Sequence, residues 1–238
     1  MRPLILFIGI LGMIAILAVT TTVAYALYDA SKATSTALAS ITAKHLRTEV
    51  SIVETPVSFK SGATQIIGLR IQNPPGFSTS TAIHSPEIRV AIDVSRSTND
   101  LIYAKKIHIQ RPQVLLEIIE GQNNLTRLMQ ALAAAIDTTT NDQNIRLIVE
   151  EVIVEEGELS VVIDQLGEAA IRVPLPDSLL KNIGIEDEGA APQLVLQSLT
   201  AFIIKITERA TRRIDITAIA NERGVPTPVL DFRMLLAP

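Results

Sequence analysis

Ile66 to Ser78 reads IIGLRIQNPPGFS. Its first half is a strand. Ile67, Leu69 and Ile71 fall on one face at a period of two, with Arg70 and Gln72 on the other. Its second half reverses the chain. Asn73 precedes a proline, which pushes it extended. Pro74 and Pro75 fix φ, and Gly76 can take a positive φ that another residue would strain to reach. Phe77 is expected to drop its ring back as an anchor. Gly68 lies inside the strand. Each residue has a backbone or packing reason to be present. Gly68, Asn73, Pro74, Pro75, Gly76 and Phe77 therefore read as a fold-determining reversal rather than a ligand loop.

The same period of two continues on both sides. Ile88, Val90, Ile92 and Val94 alternate with Glu87, Arg89, Ala91 and Asp93. Lys106 to Ile119 gives two short strands broken at Arg111-Pro112, where proline cannot donate a ladder hydrogen bond. Arg146 to Asp164 repeats the pattern around a turn at Gly157, and Ala169–Val173 and Val229–Leu236 extend it. One apolar and one wet face is the signature of an antiparallel sheet covered on one side.

Two amphipathic helices interrupt the strands. Asn123 or Asn124 can cap the first, whose stripe is Leu125, Leu128, Met129, Leu132 and Ile136. The second starts near Pro192 and buries Val195, Leu199, Phe202, Ile203, Ile206 and Ala210. A short helix also fits Asp177–Ile183.

Pro3 to Tyr28 carries no charged side chain. As a helix it is roughly 39 Å long, enough to span a hydrocarbon core of about 30 Å with some tilt. Ala24-Tyr25-Ala26 has the small-x-small look of a cleavage site, but the apolar run exceeds the core of a signal peptide. Its length favours a retained anchor, with Arg2 and the α-amino group on the cytoplasmic side. Asp29 to Thr48 then reads as a helical stalk, with Ala30, Ala33, Ala37, Leu38 and Ile41 at helical spacing.

Five stretches in order carry a family resemblance. They are VSIVETPVSFKSG, IIGLRIQNPPGFS, AIHSPEIRVAIDV, KKIHIQRPQVLLEI and NNLTRLMQAL, behind an N-terminal membrane segment. In this order the region from Met1 to Leu132 resembles the N-terminal part of AsmA-like bacterial envelope proteins. The resemblance implies an inner-membrane-anchored periplasmic protein with a β-groove, in envelope lipid handling.

Chemistry is sparse by comparison. A net charge of −4 argues against a general nucleic-acid binder. Cysteine is absent, which removes disulfides, thiolate nucleophiles and Cys-based metal sites. His45, His84 and His108 have no ligand spacing, and no nucleophile-elbow, dinucleotide or phosphate-loop motif occurs. Glu150, Glu151, Glu155, Glu156 and Glu158 read as a solvated hairpin edge. Glu186, Asp187 and Glu188 suit the positive pole of the following helix, and Arg209, Arg212 and Arg213 its negative pole. No catalytic residue, metal or cofactor is expected.

The reading is an α+β chain. A transmembrane helix (1–28) and stalk (29–48) precede an extracytoplasmic domain (49–238), a largely antiparallel curved sheet packed by two main amphipathic helices. Its expected role is a non-enzymatic periplasmic scaffold or accessory subunit anchored in the bacterial inner membrane. Its expected partners are the bilayer and a membrane protein or a second copy, with close helix packing at Gly9, Gly12 and Ala15. The alternative is a lipid-binding module whose aliphatic groove is lined by Ile88, Val90, Ile92, Ile107 and Ile109. Against the groove stands an ordinary covered core, the default for such residues.

Overall fold

The computed structural model describes residues 39, 43, 46–58, 62–78, 80–98, 100–128, 130–131, 146–167, 169–185, 189–190, 194–195, 198, 206, 209–210 and 214–225. The strands, in chain order, are β1 (Val50–Ser51), β2 (Val57–Ser58), β3 (Ala63–Gln72), β4 (Thr81–Ile92), β5 (Leu101–Gln110), β6 (Gln113–Ile119), β7 (Gln122–Asn123), β8 (Arg146–Glu155), β9 (Glu158–Ile163), β10 (Ile171–Pro174) and β11 (Ser178–Ile183). All join one sheet. The body is α+β and largely sheet. Pairing is antiparallel except where β8 runs parallel to β5 and β9 parallel to β6.

The short strands are halves of longer ones. β5 and β6 meet β4 in a single register, Glu87 facing Gln110 on one side of a gap and His84 facing Gln113 on the other. β8 and β9 keep one register against β5 and β6, and β11 and β10 keep one against β8 and β9. β1 and β2 do the same on β3, joined by a bridge between Glu54 and Ile67. Continuing each register across its gap brings Val53, Gly68, Pro86, Arg111, Glu156 and Pro176 into one transverse row.

That row re-phases every strand. Gly68, Arg111 and Glu156 have left-handed φ values of 67, 50 and 55°. Pro86, Pro112 and Pro176 supply no N–H for the ladder. The buried face moves by one residue at the row. It runs Thr64, Ile66 and then Leu69, Ile71 on β3, and Ile83, Ser85 and then Ile88, Val90 on β4. On the next long strand it runs Ile107, Ile109 and then Val114, Leu116, and on the one after Val152, Val154 and then Leu159, Val161. A strict period of two would turn half of each strand inside out. A second irregular row runs through Ile92, Lys105, Glu150 and the left-handed Asn182 (φ 62°).

Five local expectations change. Ile67 is half-buried on the face opposite Leu69 and Ile71, because Gly68 lies between them. Gly157 is not a hairpin turn: the chain continues in the same direction from β8 into β9. A Cβ at Gly157 would lie 2.9 Å from Leu175 Cδ1 and 3.2 Å from Pro112 Cγ, so tight packing demands the glycine. The glutamates of β8 are therefore not an edge; β8 lies between β5 and β11. Ser178–Ile183 is the edge strand β11 rather than a helix. Val94 is 61% exposed, because β4 has ended and a turn begins at Asp93.

Helices close the aliphatic face. Residues 124–128 are helical, capped by Asn123, whose Oδ1 accepts the Thr126 N–H at 2.8 Å. Leu125, Leu128, Val195, Ile206, Ala210 and Ala220 join the sheet residues in one core. The sequence did not foretell α1 (Ile216–Arg223). It is capped by Asp215, which accepts the Ala218 N–H, and stopped at left-handed Gly224. Residues 39, 43 and 46 are helical; Ala39 and Ala43 pack on the core and Leu46 lies in it, so this end of the stalk docks on the body. The apolar segment 1–28, stalk positions 30–38 and 41, and Val229–Leu236 lie outside the described residues. Among the described residues no helix is long and apolar enough to cross a membrane.

The row makes a prediction of opposite signs. A Cβ on Gly68 would lie 2.5 Å from Val53 Cγ2, in a left-handed conformation. Gly68→Ala should destabilise by about 2 kcal/mol or more. Glu156→Gly should stabilise by up to about 1 kcal/mol, because Glu156 is exposed and loses only its strained φ. Denaturant midpoints of the two variants against the parent check both signs.

Candidate functional site

The reversal that follows β3 folds onto the polar side of the sheet. Asn73 N–H donates to Ser80 O at 3.0 Å, closing the hairpin, and Gly76 takes φ 98°. Pro74 is buried and Pro75 exposed. Phe77 is half-buried and lies outside the core cluster, so it is not the anchor. The anchor is polar. Glu117, in the middle of β6 and 7% exposed, accepts three hydrogen bonds on Oε2, each 2.9 Å long. They come from Asn73 Nδ2, the Ser78 backbone N–H and the Ser78 hydroxyl.

Asn124 completes the network. It is fully buried, donates to Asn73 Oδ1 (2.6 Å) and Leu115 O (2.8 Å), and accepts the Glu117 N–H at 2.9 Å. A buried carboxylate survives only when donors replace the water it loses, and these donors come from the reversal itself. The stalk ends at the same place. Thr48 Oγ1 donates to Gln72 O (3.2 Å) and Asn73 O (3.0 Å).

The folded-over hairpin forms one wall of an open cleft of about 730 Å3 on the polar face. Ser78, Ser80, Thr81 and His84 lie on the hairpin side. Gln113, Leu115, Glu158, Ser160 and Val162 make the floor, and Arg70 and Arg172 stand toward opposite flanks. Arg70, His84, Gln113 and Glu158 are consecutive register partners across β3, β4, β6 and β9. Nδ1 of His84 is 3.0 Å from Leu69 O, an acceptor only, so Nδ1 carries the proton there. Among the described residues neither Arg70, Arg172 nor Glu158 is in an ion pair.

A second polar cluster sits where β4 turns into β5. Asp93, 6% exposed, accepts from the Ser95 hydroxyl (2.6 Å), Ser95 N–H (3.1 Å) and Arg96 N–H (3.2 Å), and meets Lys105 Nζ at 3.0 Å. The Ser95 hydrogen bond, then Lys105, holds its carboxyl well below the usual carboxylate range. Arg96 lies over the Tyr103 ring, 4.6 Å from its centroid, and Tyr103 donates to Glu150. That hydrogen bond raises the Tyr103 hydroxyl above its ordinary range. These groups saturate one another and fix the turn.

The residues expected to line a lipid groove lie elsewhere. Ile88, Val90, Ile107 and Ile109 are 0–1% exposed and Ile92 is 9% exposed, all within the main core. The three histidines are not brought together: His84 is in the cleft, His108 pairs with Glu155 at 2.8 Å, and His45 lies outside the described residues. Glu151 meets Lys181 at 3.1 Å, so the β8 glutamates serve internal pairs. Glu186, Asp187, Glu188, Arg212 and Arg213 also lie outside the described residues, and Arg209 is exposed. Among the described residues no three metal-binding side chains converge. Sequence reasoning missed Glu117 and Arg172, and read Asn124 only as a possible helix cap. The available signal was Glu117 itself, one charge inside the apolar run VLLEII. No family model and no curated protein matches the chain.

Two measurements test these clusters. Glu117→Ala should destabilise by about 1–3 kcal/mol, since it removes the acceptor of the Ser78 N–H and leaves Asn73 Nδ2 only the Ser78 hydroxyl at 3.1 Å; exchange of the Ser78 amide should accelerate with it. Asp93 has a folded-state pKa below its unfolded one, so its contribution is fully present above the ordinary carboxylate pKa of ~3.9 and is lost as pH falls from there toward and through the lower folded-state pKa. Asp93→Asn should therefore flatten the acid limb of stability against pH, measured by denaturant melts.

Proposed function

We propose that the chain is a non-enzymatic scaffold or accessory subunit of a bacterial inner-membrane complex. Residues 3–28 anchor it with the N-terminus cytoplasmic, and the body is periplasmic. Support for the anchor is the uncharged apolar length of that segment. Support for a scaffold is the closed aliphatic face. The sheet positions that would hold acyl chains are packed against Leu125, Leu128, Val195 and Ile206 instead. The junction also fits a tethered platform. Leu46 is 1% exposed in the core, and Thr48 is bonded to the hairpin, so the body does not swing on a loose linker.

The AsmA-like, lipid-handling reading is the runner-up. It draws on the resemblance of residues 1–132 and on the largely aliphatic face of the sheet. It requires the covering helices to leave that face. Native mass spectrometry of the full chain from mild detergent separates the two. A stoichiometric protein partner or second copy is the expected result, and co-purifying acyl-chain species without a partner would overturn the scaffold reading. Val90→Asp adds an independent check. Val90 is 1% exposed, so the variant should fail to fold; a folded variant that has lost only bound lipid would favour the groove.

A further inference from the structure

We propose that a second copy of the chain adds to the sheet along β11, antiparallel, about a twofold axis through Leu179. Among the described residues β11 pairs only with β8 and ends the sheet. Its backbone phase follows from its neighbours. Glu155 O accepts the Arg111 N–H at 2.9 Å, so Glu155 turns its backbone groups away from β11. By alternation Val154 and Val152 turn theirs toward it, against Ser178 and Leu180. The N–H and C=O of Leu179 and Lys181 therefore point off the edge of the sheet, where they are a template for another strand. The rest of the border is a poorer template. Pro174 and Pro176 interrupt the β10 half, and the opposite border is two strands of two residues with Pro56 between them.

The side chains of this edge are complementary to themselves. Asp177, Leu179 and Lys181 are exposed at alternate positions. Asp177 and Lys181 flank Leu179 symmetrically, so an axis at Leu179 sets Asp177 of each copy against Lys181 of the other. Moving the axis by one residue sets one of these charges against Leu179 instead. Asp177 spends Oδ1 on the Glu156 N–H at 2.9 Å, which leaves Oδ2 for the partner's Lys181. Lys181 is held from the inner side by Glu151 at 3.1 Å, so the partner's Asp177 completes a charge ladder. Leu179 is 49% exposed on the otherwise polar face, beside half-buried Ile153. Pairing joins these residues of both copies into one apolar strip across the axis. The inference names the partner in the scaffold reading and rests on it to that extent, but its geometry is that of the body and does not require the membrane anchor.

The chain has no cysteine, so single introduced cysteines report the pairing. The test is mild oxidation of the full chain in non-ionic detergent. Leu179→Cys should give a covalent dimer, because directly opposed residues of this kind lie about 5.5 Å apart at Cα, within disulfide reach. Asp177→Cys and Lys181→Cys should each stay uncrosslinked alone and crosslink when mixed, which fixes the register. Sedimentation of Leu179→Pro adds a second readout. The substitution removes an outward N–H and no hydrogen bond to β8, so the thermal melt should stay near that of the parent while dimerisation weakens roughly tenfold or more. The proposal is overturned if Leu179→Cys gives no dimer, or if Val94→Cys, exposed in the turn after β4, crosslinks as fast. A dimer indifferent to Leu179→Pro overturns it too. A different bound protein without the Leu179→Cys dimer overturns the second copy and keeps the scaffold reading; acyl-chain species with no protein partner overturn the scaffold reading itself.

Discussion

The transverse row from Val53 through Gly68, Pro86, Arg111 and Glu156 to Pro176 is the constraint on which the rest of the sheet depends. Strands of ten or more residues accumulate twist, and a long sheet covered on one face must bend to stay in contact with its helices. Here the adjustment is concentrated. Left-handed residues carry it on three strands, and prolines that lack an N–H stand in the same row on two more. The register is unchanged on either side, so the row re-aims side chains without slipping the ladder. Gly68 is the tightest point. Its missing Cβ is the space that Val53 occupies on the edge strand.

The Asn-Pro-Pro-Gly reversal is the second fixed point, and its chemistry is polar where an apolar staple was expected. Phe77 contributes little; Glu117, Asn73, Ser78 and Asn124 do the joining. The network ties three separate pieces of chain, the hairpin, β6 and the start of the helix at 124. Thr48 ties in a fourth, the end of the stalk. Loss of one donor leaves a buried carboxylate under-satisfied, so the pieces stand or fall together.

Strand existence was legible in the sequence because β-branched alternation is strong on both sides of each break. The breaks at Arg111-Pro112 and the reversal at Asn73 were legible because proline and glycine have direct backbone consequences. What they do to the chain was not. Gly157 looks locally like a turn, and only the register of a strand 45 positions earlier shows that the chain runs straight on. The phase of β3 was misread for the same reason. A glycine inside a strand signals a bulge, but the contact that excludes a Cβ there comes from Val53, on a separate strand of the sheet. The cleft was least legible of all, because Arg70, Gln113 and Arg172 come to line one space only through four strand pairings.

The row and the cleft are linked by parity. On β3, Arg70 is four residues from core Ile66; on β4, His84 is four from core Ile88; Gln113 is four from Ile109, and Glu158 four from Val154. An uninterrupted strand would set each of these polar residues on the same face as its aliphatic partner, inside the core. The re-phasing row lies between the two members of every pair. It is therefore the row that turns Arg70, His84, Gln113 and Glu158 outward together, into adjacent positions on four strands. Cleft and core are products of one backbone feature. A substitution that let the sheet run straight through Gly68 or Glu156 would exchange them, which ties any ligand chemistry of this face to the integrity of the crease beneath it.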